Sequence, residues 1–415
     1  MKNLLSFCFI LILVSSCSQY SDESRKKNAK NAVIADSLTH QLNAIHQRRN
    51  FNGFAVAIVD TSGAVYQKGI GFSDVRKQKV YTTNTVQNIA SISKTLIGIS
   101  LMKAQEMELL NLDDPVNDYL PFEIENPLYP DEDITIRHLA THTSSIKDTD
   151  LYSDKSYILK DKLDSTQSNL EELSENFNPK ENKIRIGEFL ERYFSEDSDW
   201  YDKKPFLDTR PGELFEYTNV GATLAACVIE IAAEKPYSEF ATEHIFEPLK
   251  MKSSGWDFDE VDYNSFSTLY SSLENVIPHY SLITYPDGGL ITSINDLGLY
   301  LSELIRGYSG KGTLLTNESY HELFKYQLKP ENFTEQDEEH PYNDEYNAGI
   351  FMGFSAKGYI GHSGGDPGVA SLMMFNAESG VGRILFTNTN VNNQAGVDAF
   401  WGIWNTLGDY SEKLN

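Results

Sequence analysis

Ser91 and Lys94 stand three residues apart in Asn88-Ile89-Ala90-Ser91-Ile92-Ser93-Lys94, directly ahead of the apolar run Thr95-Leu96-Ile97-Gly98-Ile99. On a helix that spacing puts both side chains on one face, within reach of each other. Serine alone is a poor nucleophile. A lysine whose charge is disfavoured by burial holds a free amine, and that amine can take the serine's proton to open an acyl transfer. Such a lysine can turn an inert hydroxyl into an attacking alkoxide.

Spacing alone does not select this pair, because S-x-x-K occurs at Ser24 with Lys27, Ser91 with Lys94, Ser100 with Lys103 and Ser144 with Lys147. Ser24 lies in a polar leader, Ser100 falls inside the helix that Ser91 opens, and Ser144 precedes the polar run Lys147-Asp148-Thr149-Asp150. Ser91 alone stands where a helix begins, and there the partial positive end of the helix favours an oxyanion.

Two downstream motifs complete a set. Tyr217-Thr218-Asn219 follows the turn Pro211-Gly212 and precedes a helix expected over about 220–233. His362-Ser363-Gly364 follows Tyr359-Ile360-Gly361 and precedes Gly365, Gly368 and the run Val369–Phe375, a strand-turn-strand pattern. The order S-x-x-K, Y-x-N, H-x-G resembles the serine β-lactamase and penicillin-binding-protein superfamily, in its class C, D,D-peptidase and esterase branch. The segments 135–144, 112–116 and 288–297 are similar too, and the likeness spans about residues 40–410.

The resemblance implies a fold and a chemistry. The fold class would be α/β (α+β): an antiparallel sheet flanked by helices, with a mostly helical lobe inserted. Ser91 would attack an ester, amide or peptide carbonyl, with Lys94 and Tyr217 sharing its proton. The N–H groups of Ser91 and Gly365 would form the oxyanion hole. Asn219 would orient Lys94 or the substrate's amide, Ser363 would donate its hydroxyl to the substrate, and Gly364 would complete the H-x-G element. No metal or organic cofactor is implied. His362 stands where penicillin-recognising members carry lysine, and a neutral imidazole holds a carboxylate less strongly than an ammonium does. Candidate substrates run from small esters to D-amino-acid and peptidoglycan-derived peptides and β-lactams; loop shape sets the choice.

Three other readings compete. Gly361-His362-Ser363-Gly364-Gly365 matches the G-x-S-x-G elbow of α/β-hydrolases with Ser363 as nucleophile, but none of the nine histidines follows His362. His138 and His142 have the spacing of two metal ligands, although Leu139 replaces the glutamate of H-E-x-x-H. A catalytically inactive binding module with the same fold is the third.

The remaining chain frames these motifs. With 415 residues and 40% hydrophobic content it can build a sizeable two-lobed unit, and a net charge of −25 argues against nucleic acid as a partner. Lys2 and the apolar run from Leu4 to Val14 read as a secretory signal, too short to span a bilayer. Val14-Ser15-Ser16-Cys17 resembles a bacterial lipobox, so residues 1–17 read as a lipoprotein signal whose cleavage before Cys17 leaves that cysteine lipidated; an ordinary signal peptide with an incidental cysteine is the alternative. The protein would then be exported and anchored to a bacterial membrane, on the periplasmic or cell-surface side. Residues 18–32 read as a flexible linker and 33–410 as the hydrolase domain, with a sheet lobe over about 33–75 and 280–410 and a helical lobe over about 85–280. Cys227 reads as a small buried apolar residue. Ile34, Leu38, Leu42 and Ile45 predict an amphipathic helix, and Phe54–Val59 with Ala64–Tyr66 predicts a hairpin after which sheet building stops. Helices should dominate 89–249, strands resume near Tyr359 and at 383–387, and Val397, Phe400, Trp401 and Trp404 predict a terminal helix. The acidic stretch 147–179 reads as an added loop or small subdomain that either shapes substrate access or lies inert on the surface.

Overall fold

The computed structural model describes residues 29–162, 177–201, 205–334, 349–354 and 358–414. The expected leader, Cys17 and the Ser24–Lys27 pair lie outside the described residues. Seven strands form one antiparallel sheet: β1 (Gly53–Asp60), β2 (Gly63–Asp74), β3 (Lys79–Val80), β4 (Gly353–Phe354), β5 (Tyr359–Asp366), β6 (Val369–Asn376) and β7 (Val381–Thr387). Their order is β4-β5-β6-β7-β1-β2-β3, so the two ends of the chain meet where β1 pairs with β7, Phe54 opposite Thr387. The helices that position the site and cover the sheet are α1 (29–46), α2 (Lys94–Glu106), α3 (Asn219–Ala232), α4 (Ile294–Tyr308) and α5 (Gln394–Leu414).

β1 is apolar without alternation because both its faces are covered. Phe54, Val56 and Ile58 pack with Leu38 and Leu42 of α1 and Ile403 and Trp404 of α5. Ala55, Ala57 and Val59 belong to the opposite core, with Leu297, Leu301 and Leu304 of α4. The buried stripe of α5 is Phe400, Ile403, Trp404 and Leu407, while Val397 and Trp401 flank it half-buried. Arg383, itself buried, donates to the Trp404 carbonyl and lies 4.3 Å from the Trp404 ring centroid.

Four sequence expectations are corrected. β2 does not stop at Tyr66; it runs to Asp74 and β3 follows, because near the sheet edge the polar Gln67 and Lys68 face solvent at no cost. Short ladders appear before Tyr359: Val86–Asn88 with Ile291–Ser293, Leu269–Tyr270 with Val276–Ile277, and Tyr157–Leu159 with Tyr280–Leu282. α1 begins at residue 29, so the end of the expected linker is helical. The stretch 147–179 is not an appendage, since its described part supplies a helix, Asp150–Ser156, and the strand Tyr157–Leu159 paired into the fold. Trp404→Ala should destabilise the protein by about 3–5 kcal/mol, measured by urea unfolding, because a large fully buried ring is replaced by a cavity.

Candidate active site

The nucleophile's turn is held open by its neighbours. Ala90 has φ 52°, a left-handed conformation unusual for a residue with a Cβ, and a 3₁₀ turn over Ala90–Ser93 then leads into α2. Ser93 fixes this turn: its Oγ donates to the Ala90 carbonyl at 2.6 Å and accepts from the Leu290 N–H at 3.2 Å. The second serine of Ser91-Ile92-Ser93 is thus structural, and Ser91 stays partly exposed.

Lys94 is fully buried and its Nζ has three acceptors: Ser91 Oγ at 3.2 Å, Asn219 Oδ1 at 2.7 Å and the Asp287 carbonyl at 2.8 Å. Three acceptors match the three donors of an ammonium. Burial is the largest single influence and pushes the pKa down, but Tyr217 and the carboxylates of Asp287 and Asp148 outweigh it and hold Lys94 above the ordinary lysine range. The free amine that burial alone would favour is therefore not what the surroundings support: they hold Lys94 as an ammonium.

Tyr217 stands beside Lys94. Its ring centroid lies 5.0 Å from Lys94 Nζ, and the ring stacks on His142 at 4.6 Å between centroids. His142 Nδ1 accepts from the Thr218 N–H, while burial and then the charge of Lys94 push its pKa well below the ordinary value. His138 Nδ1 accepts from the Thr135 N–H in a capping box. One histidine caps and the other supports Tyr217, and no group of three potential metal ligands occurs among the described residues.

Asn219 begins α3 and is held by a residue the sequence reading passed over. Asp148 accepts from Thr218 Oγ1, from the N–H groups of Asn219 and Val220, and from Asn219 Nδ2 at 2.7 Å. A carboxylate at a helix N-terminus is favoured by the exposed N–H groups and the dipole. Because Asn219 Nδ2 faces Asp148, its Oδ1 must face Lys94. Of the two roles expected for Asn219, orienting Lys94 is the one in place.

The third motif approaches on β5. β4 pairs with Ile360 and Gly361 at the start of β5. Gly364 is sterically required: a Cβ there would lie 2.5 Å from the Ile89 carbonyl oxygen and 2.9 Å from the Ser91 nitrogen. Ser91, Phe215, Tyr217, His362, Ser363, Gly364 and Gly365 line a cleft of about 400 Å³. A larger cleft of about 680 Å³, lined by residues such as Lys183, Glu230 and Trp256, contains none of the three motifs. His362 is buried, and burial followed by the charge of Lys94 lowers its pKa to about 3. β5 passes straight through Ser363 and returns as β6, so the strand-to-helix elbow with Ser363 as nucleophile is overturned.

Two more acids lie behind the cleft. Asp287 accepts from Thr223 Oγ1 and from the Tyr152 hydroxyl, and burial raises its pKa to about 6. Asp366, at the end of β5, accepts from the Tyr157 hydroxyl at 2.7 Å. Asp148, Tyr152 and Tyr157 all come from the segment expected to be an added loop. The sequence signal available was the acid at 148 opposite a helix start, but pairing it with Asn219 required the tertiary fold.

A family model for Beta-lactamase matches residues 35–407. "Protein flp" of Staphylococcus aureus (strain MW2) is 24% identical over 372 residues, covering 88% of this chain and 64% of that protein, so the chain spans under two thirds of this curated relative. The octameric penicillin-binding protein homologue from Pyrococcus abyssi superposes with TM-score 0.69 at 22% identity, covering 91% of this chain and 78% of that one. The D-amino acid amidase from Ochrobactrum anthropi SV3, solved with D-phenylalanine, gives TM-score 0.64 at 18% identity, covering 91% and 98%.

Asp148→Ala should lower stability by about 1–3 kcal/mol in urea unfolding, because it strips acceptors from α3's N-terminus and frees Asn219. A second outcome concerns acid. Between pH 6.5 and about 3 the unfolded chain binds a proton that folded His362 refuses, so stability falls as pH drops through that window, by up to about 1.4 kcal/mol per unit. His362→Asn should give a shallower decline from pH 7 to 4 in the same measurement.

Proposed function

The chain belongs to the Beta-lactamase family, and from that premise we propose that it is a serine hydrolase cleaving an ester, amide or peptide through an acyl-enzyme on Ser91. One observation carries the reading: a buried ammonium donates to the hydroxyl of Ser91 while an aromatic phenol lies against the same ammonium. Since Lys94 donates to Ser91 Oγ, the serine's own hydrogen is free to turn toward the cleft, where Tyr217 stands.

In this mechanism ionised Tyr217 takes the Ser91 proton as Oγ bonds to the carbonyl carbon. The N–H groups of Ser91 and Gly365 receive the oxyanion, each such donor contributing about 3–4 kcal/mol to the transition state. Tyr217 then returns the proton to the leaving nitrogen or oxygen as its bond to carbon breaks. Water gives its proton to Tyr217 and attacks the acyl-enzyme carbonyl, and Tyr217 passes that proton to Ser91 Oγ as its bond to carbon breaks and the acid leaves. Lys94 offsets the negative charge on Tyr217 throughout, and Asn219 and the Asp287 carbonyl hold it in place. The export signal and lipid anchor at Cys17 belong to the same proposal, which places the enzyme at a bacterial membrane surface.

Intact mass after fluorophosphonate treatment should show one adduct on the wild type and none on Ser91→Ala; an equal adduct on Ser91→Ala would sink the assignment. Tyr217→Phe should lower kcat on an activated ester by about 100- to 10,000-fold, the usual contribution of a positioned base. Metabolic labelling with a clickable fatty acid should be lost on Cys17→Ala.

A further inference from the structure

Tyr217 stands on irregular chain between the turn at 211–214 and the start of α3. A proton-transfer group must be held in one place to be effective, so such a stretch needs an anchor from elsewhere in the fold. Both N–H groups flanking Tyr217 go to a single residue: Glu216 donates to the His142 carbonyl at 2.8 Å, and Thr218 donates to His142 Nδ1 at 3.2 Å. The His142 ring then stacks on the Tyr217 ring, 4.6 Å between centroids and 28° from parallel. Backbone and side chain of one histidine thus grip the chain on both sides of the phenol and cover one of its faces.

This grip is held at a cost. His142 has φ 55°, a left-handed backbone that a residue with a Cβ rarely adopts. Because Nδ1 accepts, the ring's proton is assigned to Nε2, and that buried atom finds no acceptor among the described residues. Strain of this kind, set beside a reacting group, points to a role in function. The role is indirect, since His142 is fully buried and is not among the residues lining the cleft. Phe215 and Phe351 meet its ring edge to face, at 6.0 and 5.3 Å between centroids. Burial and then the charge of Lys94 keep the imidazole neutral, which leaves Nδ1 the lone pair that Thr218 needs.

We propose that His142 is the positioning residue for Tyr217: its carbonyl and Nδ1 fix the backbone on either side of the phenol, its ring fixes the phenol's tilt, and turnover depends on both. This rests on Tyr217 acting as the base for Ser91.

Dividing the grip tests it. His142→Asn suits a left-handed backbone and brings an Oδ1 able to accept from Thr218, but has no ring. His142→Phe keeps a ring and leaves the Thr218 N–H unpaired. Each should lower kcat on an activated ester by about tenfold to a hundredfold and change KM by less than about threefold, because a displacement of about 1 Å acts on the transfer step. In a Tyr217→Phe background neither should cost more than about a further twofold, since groups that act as a unit are not additive. A folded His142→Asn protein with wild-type kcat overturns the proposal. So does a loss that multiplies that of Tyr217→Phe, the result expected of a histidine that only supports the fold. Should His142→Asn fail to fold in urea unfolding, His142→Phe answers the same two questions. Fluorine NMR of protein carrying fluorotyrosine reads the ring contact without turnover: the resonance missing from Tyr217→Phe should move in the His142 variants, and an unmoved resonance overturns the stacking role. Failure of Ser91 to take a fluorophosphonate instead removes the hydrolase reading, and the resonance still decides whether His142 holds Tyr217.

Discussion

A single ammonium without water around it organises this molecule. An unpaired charge in a protein interior costs several kcal/mol, so the fold must surround Lys94 with acceptors and opposite charge or lose it. It does so from four separate stretches of chain: Ser91 one turn earlier, Asn219 at the head of α3, the Asp287 carbonyl on the short helix Tyr285–Gly288, and Asp148 behind Asn219. The two-lobed architecture follows from that requirement. The helical lobe brings Asn219 and Tyr217, and the sheet lobe brings β5 across the nucleophile.

The same charge sets the chemistry around it. Burial first, and this charge after it, lower the pKa of His142 and His362, so both imidazoles are neutral near pH 7. Within its reach are the oxygens of Ser91, Asn219 and Asp287.

Much of this was legible in the residues. The continuous apolar run of β1, the amphipathic stripe of α1 and the spacing of Ser91 and Lys94 are local patterns, and local periodicity reports which faces are buried. Motif order supplied Tyr217, Asn219, His362, Ser363 and Gly364. Neither the protonation state of Lys94 nor the part played by 147–159 could be read that way. Burial of Lys94 was expected, but its sign depends on carboxylates brought in from positions 148 and 287. The polar, acidic character of 147–150 looked like solvated surface because an acid that caps a distant helix has the same local signature as one in water. The short ladders of the helical lobe were missed for a related reason: two- and three-residue strands are too brief for alternation to register.

The pairing of β1 with β7 has one more bearing on the molecule's behaviour. It joins Phe54 to Thr387, and β1 is apolar on both faces. Contacts between residues so distant in sequence cost loop-closure entropy before they return any burial, which slows folding. During synthesis β1 must therefore wait for the last strand, and a chain truncated before β7 would leave an apolar strand without its neighbour, the kind of edge on which chains aggregate.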